Sequence, residues 1–259
     1  MSTPILSARH LELGFGGVHA VRDVSFDVGR GEVFSIIGPN GAGKTTVLNL
    51  LSRLYDVEGG GRMQFDGADI TRIPPHQVAR RGIARTFQNT ELFEHGTVLE
   101  NLLVGRHVHR GTTLLGELLF TPAVRRQEVR FREAVEDVID LLDLQPYRDK
   151  AISGLPYGVR KMVEVGRALC TEPKLLLLDE PSSGLNPEET DEVEYWIEDV
   201  NQDQGVTIIM VEHDMNLVGR VSHRVMAMAD GEVLTIGRPA EVQSHPEVLR
   251  AYLGEAAHG

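Results

Sequence analysis

Residues 38–46 read GPNGAGKTT, and this run constrains the fold more than any other in the chain. It matches G-x-x-x-x-G-K-[ST], a phosphate-cradling loop, provided that a strand leads in and a helix leads out. Both conditions hold. Val33, Phe34, Ile36 and Ile37 make the apolar run of a buried strand, and Val47, Leu48, Leu50, Leu51 and Leu54 recur at helical spacing. Gly38, Gly41 and Gly43 let the backbone turn tightly, with Pro39, Asn40 and Ala42 between them. Successive N–H groups and the helix N-terminus then converge on the α- and β-phosphates of a nucleotide. Lys44 brings a point charge to the β- and γ-phosphates, Thr45 a hydroxyl where Mg²⁺ would sit, and Thr46 a donor for the α-phosphate.

A nucleotide site needs more than a cradle, and a second apolar run supplies candidates. LLLL at 175–178 reads as a strand that ends in Asp179 and Glu180, followed at once by the turn PSSGLNP. Beside a phosphate loop, Asp179 can hold Mg²⁺ through its water shell, and Glu180 can orient or deprotonate an attacking water. A third buried strand, within VTIIMVEHD at 206–214, presents His213 at its end. Ile83–Phe87 form a plausible strand whose C-terminal edge delivers Gln88, and ligand crevices of open α/β sheets lie at such edges. Phe15, in the glycine-rich bend GFGG, is either a ring stacked on a base or a core phenylalanine.

The rest of the chain reads as alternation around these motifs. Residues 5–37 are β-rich, Thr97 and Glu100 form a capping box, and helical spacing runs from about 122 to 144 and from Pro187 to about Gln202. A hairpin is expected about Asp230–Gly231 within 225–236, and HPEVLRAYLG closes the chain as a helix. Strands alternating with helices predict one doubly wound core with two attached pieces. Leu92 and Phe93 are apolar just after the Gln88 segment, so they either meet another protein or plug into the helical part of this chain.

Net charge decides against one partner class. At −12 the chain is a poor match to a nucleic-acid backbone, although Arg80, Arg81 and Arg85 form a local basic cluster. The single cysteine, Cys170, excludes an internal disulfide and fits a small buried side chain in a reducing compartment. No apolar run approaches the ~20 residues needed to span a bilayer, and MSTPILSARHLELG lacks a signal peptide's apolar region. These features predict a cytosolic chain whose membrane role, if any, is borrowed from another subunit.

With Phe15, the phosphate loop, Gln88, Asp179–Glu180, SSGLNP and His213 in this order, the chain resembles the ATP-binding subunit of ATP-binding cassette transporters over nearly its whole length. The resemblance implies a P-loop NTPase (RecA-like) α/β core carrying an antiparallel β subdomain and a helical subdomain. As approximate bounds it implies one domain over 1–259: a β subdomain at 1–32 and 60–72, and a nucleotide-binding core at 33–59, 73–90 and 172–240. A helical signature subdomain at 91–171 and a C-terminal helix at 241–259 complete it. It implies that Phe15 stacks the adenine of ATP, that Thr45, Gln88 and Asp179 hold Mg²⁺, and that Gln88 also senses the membrane subunit. Glu180 is then the catalytic base, His213 contacts the γ-phosphate, and Ser183–Asn186 face a partner monomer. The stretch PPHQVARRGIARTFQNTELFEHGTVLENLLVG is similar, more narrowly, to the ATPase subunits of branched-chain amino acid importers, a group that also includes urea and amide importers.

One motif departs from the family pattern. The signature, usually LSGGQ, falls at LPYGV, 155–159, where Gly158 lies 21 positions before Asp179. Pro156 lacks the hydroxyl and the N–H of a serine, whereas Tyr157 and Gly158 keep their N–H groups toward a γ-phosphate held by the other monomer. The implied partners are a second ATP-binding subunit, identical or paralogous, transmembrane permease subunits, and indirectly an external solute-binding protein. The implied location is the cytoplasmic face of the inner or plasma membrane, peripheral through the permease. A soluble cassette ATPase of translation or DNA repair usually carries two cassettes or a long coiled-coil insertion, which 259 residues do not accommodate. A small-molecule kinase would leave His213 and the signature without roles.

Overall fold

The computed structural model describes residues 3–86, 92–111, 118 and 121–256. The strands among the described residues are β1 (Leu6–Phe15), β2 (Val18–Val28), β3 (Val33–Ile37), β4 (Arg62–Phe65), β5 (Ala68–Asp69), β6 (Ile83–Arg85), β7 (Leu175–Asp179), β8 (Thr207–Val211), β9 (Arg224–Ala229) and β10 (Glu232–Gly237). The helices among the described residues are α1 (Lys44–Leu51), α2 (Pro75–Val78), α3 (Val98–Gly105), α4 (Pro122–Leu141) and α5 (Tyr157–Leu169). They continue with α6 (Pro187–Gln202), α7 (Met215–Val221), α8 (Pro239–Gln243) and α9 (Pro246–Ala256).

The strands form two sheets. One is antiparallel, in the order β2-β1-β4-β5; the other runs β10-β9-β3-β8-β7-β6, parallel except for the β9–β10 hairpin. Sequence alone reads β3, β7 and β8 as unbroken apolar runs because both faces of this sheet are covered. Side-chain alternation divides each run between two cores. Val33, Leu176, Leu178, Ile208 and Met210 pack with Leu102, Val135, Val163, Trp196 and Val218 of the helices. Phe34, Ile36, Leu175, Leu177, Ile209 and Val211 face the opposite way, onto α1 and the antiparallel sheet. Phe26 of β2 stacks on Phe34 of β3 with centroids 5.4 Å apart and planes 5° from parallel, which ties the two sheets together.

Helix ends follow the local chemistry of the sequence. Thr97 and Glu100 make the expected capping box at α3, and Asn186 with Glu189 makes another at α6, where Pro187 fills the first helical position. Asp230 and Gly231 both adopt positive φ, 49° and 81°, and join β9 to β10. The closing helix begins at Pro246, after the short helix α8.

Parallel register sets the position of the site. Ile36 pairs with Val211, and Val211 with Asp179, so the C-terminal ends of β3, β8 and β7 finish side by side. Three loops leave this edge: 38–43 after β3, 180–186 after β7 and 212–214 after β8.

Candidate active site

The loop after β3 can be made only with glycine at its ends. Gly43 sits at φ +92°, and a Cβ there would lie 2.3 Å from the Ala20 carbonyl oxygen; at Gly38 one would lie 2.1 Å from that of Met228. The backbone so fixed leads into α1, whose first turn carries Lys44, Thr45 and Thr46. Lys44, 8% exposed, folds over the loop and donates to the carbonyls of Gly38 (2.7 Å) and Pro39 (2.9 Å). A phosphate entering the loop competes with neutral acceptors for this ammonium, and a charge-assisted bond is about twice as strong as a neutral one.

Asp179 ends β7 with its side chain 1% exposed. Thr45 Oγ1 donates to Asp179 Oδ1 at 3.2 Å, so a hydroxyl and a carboxylate oxygen converge. Such oxygen donors fit Mg²⁺, which binds through one or two carboxylates and takes further oxygens from substrate phosphates and water. Among the described residues no group of three or more His, Cys, Asp or Glu gathers to hold a metal alone. Gln88, the third expected Mg²⁺ contact, lies outside the described residues.

The other oxygen of Asp179 meets a residue that sequence reading misplaced. Arg85 does not belong to a basic surface for nucleic acid: its side chain is 6% exposed and Nη2 donates to Asp179 Oδ2 at 3.1 Å. Nη1 donates to Asn49 Oδ1 (2.7 Å) and Ser52 Oγ (2.8 Å) near the end of α1. Burial lowers the guanidinium pKa, and the Asp179 charge pulls it back up. Arg80 and Arg81 are exposed. The signal was available, because Arg85 lies two residues from buried Ile83 and therefore shares its face of β6.

Glu180 adopts φ +52°, a left-handed conformation that costs a non-glycine residue of order 1–3 kcal/mol and persists where its surroundings impose it. Its N–H donates to the Val211 carbonyl at 2.9 Å. Lys161 of α5 reaches under the turn, and Nζ donates to the carbonyls of Glu180 (2.7 Å) and Ser183 (2.8 Å). Desolvation lowers the Lys161 pKa, partly offset by the charges of Glu212, Glu164 and Glu180. His213 stands on the neighbouring loop with its ring exposed and Nδ1 3.7 Å from Glu212 Oε2.

Pro156 is the N-cap of α5 and Tyr157 its first residue, so the signature sits at a helix N-terminus. The Tyr157 ring lies beside Gly184, where a Cβ would meet it at 3.1 Å, which sets the signature next to 183–186 of the same chain. Phe15 ends β1 with 46% exposure and packs edge-on against Tyr55, centroids 5.2 Å apart. It is a surface ring rather than a core one.

The two residues after the Gln88 segment behave differently from each other. Leu92 is partly buried against the helical core, whereas Phe93 is 62% exposed. Buried Asn101 fixes the backbone of Phe93 by accepting from its N–H (2.8 Å) and donating to its carbonyl (3.2 Å). Internal packing therefore accounts for Leu92 and leaves the Phe93 ring outward. Among the described residues no helix is long and apolar enough to cross a membrane.

Comparison with known proteins agrees with this arrangement. The ABC transporter family matches residues 21–183, and the family described as branched-chain amino acid ATP-binding cassette transporter matches 232–258. The high-affinity branched-chain amino acid transport ATP-binding protein BraF of Pseudomonas aeruginosa is 41% identical, over 99% of this chain and 100% of its own. The LivG protein of the same description from Escherichia coli is 40% identical over the same shares. Among solved structures, an ATP-binding cassette of an ABC transporter in its ADP conformation superposes with a TM-score of 0.85 at 32% identity, covering 98% of this chain and all of that one. A nucleotide-free cassette gives 0.82 at 31% identity, covering 96% and 99%.

Proposed function

Because the chain belongs to the ABC transporter family, as its ATP-hydrolysing cassette, we propose that it powers an importer of branched-chain amino acids. The observation that carries the reading is the shared edge of β3, β7 and β8. It brings the phosphate loop, Asp179, Glu180 and His213 together from three distant parts of the sequence.

In this reading ATP lies along the N-terminus of α1. The N–H groups along Gly38–Thr46, Pro39 excepted, and the Lys44 ammonium hold its phosphates, and Phe15, edged by Tyr55, stacks the adenine. Thr45, Asp179 and Gln88 would hold Mg²⁺, which when bound spreads the charge of the phosphate oxygens. Glu180 accepts a proton from the attacking water as the new bond to the γ-phosphorus forms and the bond to the bridging oxygen of ADP breaks. His213 orients the γ-phosphate. Two such subunits close on two nucleotides, with Tyr157 and Gly158 of each offering N–H groups to the γ-phosphate of the other; Pro156 has none to offer. Ser183–Asn186 line that contact.

Coupling runs through the segment after β6. Gln88 would contact Mg²⁺, while Phe93, with its ring outward on a clamped backbone, meets the permease. The chain is thereby peripheral, held to the cytoplasmic face of the membrane by its permease subunits, while an external binding protein selects the solute.

The test is the assembled complex. Co-expressed with its permease and supplied with the solute-binding protein in vesicles, the ATPase should be stimulated by leucine, isoleucine or valine. Stimulation by urea or amides alone would support the alternative solute, and failure to co-purify with any membrane protein would remove the transport reading.

A further inference from the structure

Glu212 has no part in the scheme above, yet it is 0% exposed at the edge of the site. Its Oε1 accepts from Ser182 N at 2.7 Å, and its Oε2 from His213 N at 2.8 Å and Asp214 N at 3.2 Å. Its own N–H donates to the Ile36 carbonyl at 3.3 Å, on the strand that feeds the phosphate loop. Its ion-pair contact among the described residues is the His213 ring, 3.7 Å away. Burying a carboxylate is costly unless its oxygens are satisfied, and here three N–H donors from two loops satisfy them. A carboxylate is the one side chain of this length that only accepts; a glutamine would turn an NH₂ group onto at least one of these donors.

We propose that Glu212 is a positioning residue for hydrolysis: its carboxylate locks the 180–183 turn to the 212–214 loop, so that Glu180 and His213 keep a fixed spacing across the γ-phosphate. Lys161 holds the carbonyls of Glu180 and Ser183 from the α5 side, while Glu212 holds the Ser182 N–H from the β8 side. The signature helix and the histidine loop therefore grip one four-residue turn. The inference rests on Glu180 as base and His213 as γ-phosphate contact.

The experiment is Glu212→Gln in the full chain, with His213→Ala and the double variant beside it. A shift of the reacting groups by about an ångström costs on the order of 100-fold, so kcat should fall by roughly that factor. The KM for Mg-ATP should stay within about twofold, since the phosphate loop is untouched. Acting through His213, the substitution should slow His213→Ala by no more than about twofold further. The backbone amides of Ser182, His213 and Asp214 should exchange slowly with solvent in the wild type and fast in Glu212→Gln, with β8 amides unchanged. Wild-type kcat in a folded Glu212→Gln, or a full multiplicative loss on the His213→Ala background, would overturn the proposal. If the variant does not fold, wild-type exchange decides: protected Ser182 and His213 amides support the lock, and rapid exchange excludes it. Wild-type turnover by Glu180→Gln would instead remove the underlying reading.

Discussion

Arg85→Met takes the cation away from Asp179 while keeping an unbranched apolar chain in its place. In the wild type, side-chain exposures of 6% and 1% place the pair out of water. The guanidinium also bonds Asn49 and Ser52 and so spans β6, β7 and α1. Removing one member of a buried ion pair costs about 3–5 kcal/mol, because the remaining charge is uncompensated. The lower end applies, since Arg85 already bears a desolvation cost that depresses its pKa. At about 2–4 °C per kcal/mol for a domain of this size, a loss of about 3 kcal/mol lowers the nucleotide-free Tm by about 6–12 °C. If Mg²⁺ binds at Asp179 as proposed, Mg-ATP brings new positive charge beside it and should raise the Tm of the variant by more than that of the wild type. Calorimetric melts of both proteins, with and without Mg-ATP, read both quantities. A nucleotide-free Tm within about 2 °C of wild type, or equal increments on adding Mg-ATP, would refute the reasoning.

Phe15→Ala should weaken ATP and ADP alike, by about 1–3 kcal/mol if an aromatic–base stack is lost; unchanged titration calorimetry for both nucleotides would contradict the stacking role. Burial pushes the Cys170 thiol from 9.0 up to about 12, so in the unfolded chain it ionises first. Its contribution to stability is complete below pH 9.0 and is lost as pH rises toward about 12, a loss that Cys170→Ala should remove from the pH dependence of urea unfolding. At neutral pH a thiol reagent should modify Cys170 only as fast as the chain opens. Phe93→Asp should leave the melt and ATP affinity of the isolated chain unchanged while abolishing assembly with the permease or its stimulation of turnover. Leu92→Asp should lower the melt as well, because Leu92 packs inward.

Much of the fold was legible because it is local. The strand–loop–helix at 33–51, the capping box at Thr97–Glu100 and the hairpin at Asp230–Gly231 are each decided within one short contiguous segment. The position of Asp179 and Glu180 at the end of β7 was legible because a charged pair ends an apolar run. What the sequence hid lies in long-range pairing. Arg85 acquires its meaning from Asp179, 94 residues away, and Glu212 from Ser182, 30 away. Lys161 likewise takes its partners from afar, the carbonyls of Glu180 and Ser183, 19 and 22 residues on. Apolar runs also do not reveal strand order, since β3 could pair with any of several buried strands before the register is known. Leu92 and Phe93 are chemically alike in sequence, and the fold alone shows Leu92 packed inward and Phe93 outward, its backbone held by Asn101.

Glu180→Gln in the full chain tests the central claim most directly, by following ATP bound and ATP hydrolysed in the same sample. The amide keeps the shape of the side chain but cannot take the proton of water. The account expects undiminished ATP affinity, ATP accumulating on the protein, and steady-state hydrolysis lower by about 100-fold or more. Wild-type turnover with Glu180→Gln would contradict it.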